Sequence, residues 1–191
     1  MVNVKEIEKS YRTYFDGPGF VTSKGSLKIN PTTGKITVLN NVFLWRSPPD
    51  GKLPVEFEAA NFSMQIQNRN LTSLEGCPLT VRQNFNCRGN KLTTLVGGPK
   101  KVGGTYEASN NPLENLDGLA SEIGNTLYLP YHPQLPLLRA LVAPQIVFAN
   151  LSLDHKPPVA IMKKYEGQGK RALFDCQKEL EDAGYEGNAR W

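Results

Sequence analysis

Three stretches of this chain repeat one another at a fixed step. Leu71-Thr-Ser-Leu74-Glu-Gly-Cys-Pro78 is followed by Leu92-Thr-Thr-Leu95-Val-Gly-Gly-Pro99 and then by Leu113-Glu-Asn-Leu116-Asp-Gly-Leu-Ala120, each 21 residues after the last. Other columns keep the same phase: Val81, Val102 and Ile123; Phe85, Tyr106 and Leu127; Cys87, Ala108 and Leu129. A unit this short cannot bury an apolar side alone and must stack on its neighbours, so the period predicts a solenoid. Extended backwards, it places Met64 and Ile66 on the inward columns, then Phe43 and Trp45, with Leu53 in register with Leu74. Forwards it reaches Phe148, the register slipping after Leu129, for about five to six rungs in all.

Within a unit, Asn84-Phe85-Asn86-Cys87-Arg88 alternates apolar and polar residues, as a half-buried strand does. One parallel strand per rung then builds a ribbon whose outward positions fall into columns. The first column holds Ser63, Asn84, Thr105 and Thr126; the second Leu44, Gln65, Asn86, Glu107 and Tyr128; the third Arg46, Gln67, Arg88 and Ser109, with Tyr131 and His132 extending the patch. Asn90 and Asn111 stand two residues before an inward leucine, where a side-chain amide satisfies backbone groups that a tight turn leaves without sheet partners. The leucine, phenylalanine and asparagine columns are therefore read as structural, and function is sought on the outward face.

Val102-Gly-Gly-Thr-Tyr106-Glu-Ala108-Ser-Asn-Asn111-Pro-Leu113 resembles the leucine-rich repeat consensus, and Phe85, Cys87, Asn90 and Leu92 match it again. Leu92-Thr-Thr-Leu-Val-Gly-Gly-Pro-Lys-Lys-Val-Gly-Gly104 and the closing Tyr185-Glu-Gly-Asn-Ala-Arg-Trp191 resemble the short leucine-rich repeat proteins commonly encoded by tailed bacteriophages. The likeness spans roughly residues 60 to 130 and the tail. It implies the cytoplasm of an infected bacterium and a host or anti-phage defence protein as the target to be inhibited or redirected. Arg69 and His132 depart from it where the asparagines should continue, as do Asp50 and Gln134 at the leucine position.

A bare solenoid end exposes a layer of core, so atypical terminal units are expected. Residues 1–40 read as an N-terminal cap, with Val4, Ile7 and Tyr11 at helical spacing before Gly17-Pro-Gly19, then a hairpin of Leu27-Lys-Ile29 and Ile36-Thr-Val38. Residues 41–150 form the solenoid. Residues 151–191 read as a helical cap, one helix opened by Pro157-Pro158 and a second carrying Leu173, Cys176, Leu180 and Ala183 and closed by Gly184. The fold class expected is α+β.

Chemistry is sparse. Three cysteines, Cys77, Cys87 and Cys176, at wide spacings suit reduced thiols, and neither a disulfide framework nor a zinc site is expected. The two histidines, His132 and His155, lie in no nucleophile motif, and the glycine-rich stretches lack the Gly-Lys-Ser/Thr of a phosphate loop. No cofactor, no metal and no catalytic role are expected. The charged start and the interrupted apolar run from Leu135 to Leu153 favour a cytoplasmic chain with no secretory leader and no membrane contact. The first expectation is a protein-binding module using Leu44, Arg46, Gln65, Gln67, Asn86, Arg88, Glu107, Tyr128, Tyr131 and His132. The alternative is a nucleic-acid binder: 22 basic against 18 acidic residues give +4, and Lys100, Lys101, Arg88 and the run Lys163, Lys164, Lys170 and Arg171 supply bases.

Overall fold

The computed structural model describes residues 2–18, 25–149 and 157–191. In chain order, helix α1 (Val4–Phe15) leads to the antiparallel hairpin β1 (Leu27–Ile29) and β2 (Ile36–Val38). Then come β3 (Val42–Phe43), β4 (Phe57–Ala60), β5 (Met64–Gln65), β6 (Thr80–Val81), β7 (Phe85–Asn86) and β8 (Lys101–Val102). They are followed by β9 (Tyr106–Glu107), β10 (Glu122–Ile123), β11 (Thr126–Leu129) and β12 (Gln145–Phe148), and helices α2 (Pro157–Lys164) and α3 (Leu173–Asp182) close the chain. The fold is an α+β β-solenoid of about five turns.

Each turn carries the expected strand and a second short one. The strands sort into two sheets, ordered β12-β11-β9-β7-β5-β3 and β1-β2-β4-β6-β8-β10. Val81, Val102 and Ile123, noted in the sequence only as an inward column, belong to β6, β8 and β10 of the second sheet. The hairpin joins that sheet through β2, which pairs in parallel with β4. In the first sheet, Met64, Phe85, Tyr106 and Leu127 stand opposite one another at the 21-residue step. Glycines permit these turns to stack closely. At Gly118, φ is +85° and a Cβ would lie 2.3 Å from the Leu95 carbonyl oxygen; at Gly103 it would lie 2.1 Å from that of Arg82.

The step changes at both ends. Val42 stands opposite Met64, 22 residues on, and Leu127 opposite Ile146, 19 residues on. One extra residue exchanges the two faces of a strand. Val42 and Leu44 therefore point inward, Leu44 being 2% exposed, while Phe43 and Trp45 point outward and are half-buried. This corrects the outward placement of Leu44 and the inward placement of Phe43 and Trp45. Phe148 does fall on the inward side of β12 and is buried.

The asparagine positions behave as their chemistry requires. Asn90 Oδ1 accepts from the backbone N–H groups of Arg69 (2.9 Å) and Leu71 (3.1 Å), and its Nδ2 donates to the Ile66 and Cys87 carbonyls at 2.9 Å each. Asn111 repeats this one turn on, accepting from Asn90 and Leu92 and donating to Cys87 and Ala108. At the two departures other donors take over. Arg69 Nε donates to the Leu44 carbonyl, and the His132 ring is 2.7 Å from the Leu113 carbonyl. Beyond His132, the buried Asn188 donates to the carbonyls of His132 (3.3 Å) and Leu135 (2.9 Å).

Both edges of the first sheet are covered, as solvent-facing strand edges invite unwanted pairing. The backbone N–H of Trp45 donates to the Tyr14 carbonyl of α1 at 2.8 Å, and that of Ile146 on β12 to the Glu166 carboxylate at 2.6 Å. Tyr11 and Phe15 of α1 pack on Phe57, the ring centroids of Phe15 and Phe57 lying 5.4 Å apart. In α3, Cys176 and Leu180 are buried, Cys176 with its sulfur 3.7 Å from that of Met162 in α2.

Tyr106 offers a test of the core. Its ring meets Phe85 edge to face at 5.0 Å, and its hydroxyl is buried with no hydrogen-bond partner among the described residues. An unpaired buried hydroxyl is destabilising, so Tyr106→Phe should leave stability unchanged or raise it by about 1 kcal/mol. Thermal denaturation checks this; a clear fall in the melting midpoint would mean that the hydroxyl is satisfied by a buried water.

Candidate functional site

The outward face of the first sheet is a column of side chains one per strand: Phe43, Gln65, Asn86, Glu107, Tyr128 and Val147. It follows from alternation. Met64, Phe85, Tyr106 and Leu127 turn into the core, so their successors turn out. Gln65, Gln67, Asn86, Glu107 and Tyr128 are half-buried, and Arg88 is exposed. Phe43 and Trp45 lie together at one end, ring centroids 6.2 Å apart. Trp45 rests against Gly17, where a Cβ would come within 2.5 Å of the indole.

Several side chains on this face are fixed by their own strand. Asn86 Oδ1 accepts from the Arg88 N–H at 3.1 Å, and Glu107 Oε1 accepts from both the N–H and the hydroxyl of Ser109. Ser109 is buried, as are Ser63 and Thr126, so these three contribute little exposed surface to the outward columns. Arg46 is exposed but stands one residue past Trp45, at the rim of the face rather than in line with Gln67. Tyr131 is half-buried, its ring edge to face with Phe148 at 5.9 Å, and burial raises its phenol pKa. His132 is half-buried and holds backbone. These two residues therefore border the face and mainly complete the last turn.

Phe43, Trp45, Val147 and Arg69 were missed as members of the face or its rim. Val42-Phe43-Leu44-Trp45 is apolar throughout, so alternation is silent and only the period assigns a face. Arg69 was visible only as a break in the asparagine pattern.

The bases proposed for a nucleic-acid partner are dispersed. Lys101 pairs with Glu122 at 2.5 Å, and Lys164 with Glu179 at 2.6 Å. Lys164 and the Tyr165 hydroxyl, both donating to Glu179, hold its carboxyl below the usual range. Burial pushes the Cys176 thiol up to about 11, the opposite of what an activated nucleophile requires. His155 lies outside the described residues. Among the described residues no His, Cys, Asp or Glu side chains gather as a metal site would need, and no helix is long and apolar enough to cross a membrane.

Fold and face together define a class, a short two-sheet β-solenoid repeat protein covered at both ends. Comparison with protein-family models, with curated proteins and with solved structures returned no match for the chain.

Proposed function

We propose that this chain is a non-catalytic binding module that docks a protein partner on the outward face of its first sheet. The observation that carries the reading is the face itself. Six adjacent strands present half-buried amide, aromatic and apolar side chains and one carboxylate, Glu107, in one column, with Arg46, Arg69 and Arg88 at its side. Tyrosine, tryptophan and arginine are the residues on which interfaces most depend. Arg69, Asn86 and Glu107 are already held by hydrogen bonds here, which lowers the entropy lost on docking. The resemblance of residues 92–104 and 185–191 to phage-encoded leucine-rich repeat proteins supplies the setting: a phage accessory protein in the bacterial cytoplasm that inhibits or redirects a host or defence protein.

The test is affinity capture from bacterial lysate, with nuclease present, by the wild type and by a variant with Arg46, Arg88 and Tyr128 all replaced by alanine. All three side chains lie outside the buried core, so the variant should melt within a few degrees of the wild type. The expected result is a host protein, identified by mass spectrometry, that binds the wild type stoichiometrically when purified and fails to bind the variant. Retention by both forms would move the interface off this face. Capture of nuclease-sensitive material alone would favour the nucleic-acid alternative.

A further inference from the structure

The face is electrostatically uneven along its length. At the β3–β7 end the charged residues on the face or at its rim are Arg46, Arg69 and Arg88, and the one carboxylate of the outward column is Glu107 on β9. On and just after strands β3, β5 and β7 stand the aromatic pair and the amides Gln65, Gln67 and Asn86, with no carboxylate, while Glu107 on β9 has one oxygen committed to Ser109.

Two guanidinium groups at this end have carbonyl or solvent surroundings rather than an acid. Arg69 is pinned by its own chain: Nε donates to the Leu44 carbonyl and Nη1 to the Asn68 carbonyl at 2.9 Å. Neutral acceptors leave its charge uncompensated and fix its position, so little side-chain entropy remains to be lost on binding an anion. Arg46, two residues beyond Leu44, is exposed and has no carboxylate partner among the described residues. Arg88 lies two strands away, about 10 Å across the sheet at the usual strand spacing.

We infer that this end of the face receives an extended acidic segment of the protein partner. The inference rests on the binding reading above and deepens it. Side chains of an extended chain alternate between its two sides, so acids two or four positions apart face the sheet together, about 7 or 13 Å apart. The long arginine side chains bridge the difference from the separation of about 10 Å between Arg46 and Arg88. Guanidinium groups bind carboxylates through paired, charge-assisted hydrogen bonds, and the intervening peptide side chain would lie on Phe43, Trp45 and Gln67. A nucleic-acid strand is the poorer occupant. One side of the Trp45 ring meets Gly17 and the Phe43 ring is tilted 35° to it, so the pair forms no parallel platform on which successive bases could stack.

The experiment is selection from a displayed library of random 12-residue peptides on the wild type and on a variant combining Arg46→Glu and Arg88→Glu. Arg69 is left intact because it holds backbone. Wild type should enrich peptides with Asp or Glu pairs two or four positions apart, and changing those acids to Asn or Gln should weaken binding at least about tenfold by fluorescence anisotropy. The charge-reversed variant should lose the acidic peptides by a similar factor and enrich basic ones. Neutral peptides selected by the wild type and lost on Asn86→Ala with Tyr128→Ala would overturn the acidic occupant while leaving the face as a docking site. Failure to select any peptide that these changes abolish, or tighter binding of a twelve-nucleotide oligouridine, would overturn both.

Discussion

Replacing Asn111 by alanine should lower the free energy of unfolding by about 3 to 5 kcal/mol, although the residue is polar and contributes nothing to the apolar core. Its Oδ1 accepts from the N–H groups of Asn90 and Leu92, and its Nδ2 donates to the carbonyls of Cys87, Ala108 and Ser109. The site is 5% exposed, so alanine leaves several backbone groups with neither partner nor water, at about 1 to 3 kcal/mol for each group left bare. Aspartate would keep the two accepted bonds, lose the donated ones and bury a charge, so it should be nearly as damaging. Denaturant unfolding measures both. A loss below about 1 kcal/mol for Asn111→Ala would show that the turns hold their shape without the amide.

Phe85→Ala should be equally costly, at about 3 to 5 kcal/mol, and should also change how the protein unfolds. Phe85 is fully buried in the middle turn, opposite Met64 on one side and Tyr106 on the other. In a solenoid each turn touches only its neighbours, so a cavity in the middle uncouples the two ends. The expected result is a broadened or two-step transition in place of a single one. The same change at Ile146, in the last strand of the sheet, should lower stability without splitting the transition. A single sharp transition for Phe85→Ala, with near-wild-type stability, would contradict the inward register.

The middle of this register was legible because two independent regularities agree there. At Phe85, Tyr106 and Leu127 the 21-residue period and the local alternation assign the same face, and all three are buried. At Leu44 the neighbours on both sides are apolar, alternation is uninformative, and a period extrapolated by one turn met a step of 22. The second sheet was legible only as a column, because strands of two residues such as β6, β8 and β10 are too short to show alternation. Arg69 and His132 were recognised as departures, but their actual work, bonding the Leu44 and Leu113 carbonyls, depends on which backbone groups a turn leaves open. No local pattern marks that in the sequence. The two helical caps were readable from apolar spacing and from Pro157 and Gly184, because capping chemistry is local.

Asn188 gives the molecule a dependence on the order of its own synthesis. It meets the carbonyls of His132 and Leu135 from 56 and 53 positions further along the chain. Chains fold as they emerge from the ribosome, so the central turns are free to assemble while these two carbonyls still wait for their donor. A product of interrupted translation that ends before this residue would have a nearly complete solenoid with a frayed final turn. A frayed end opens at low free-energy cost, so such a product would be cut by proteases more readily than the finished chain.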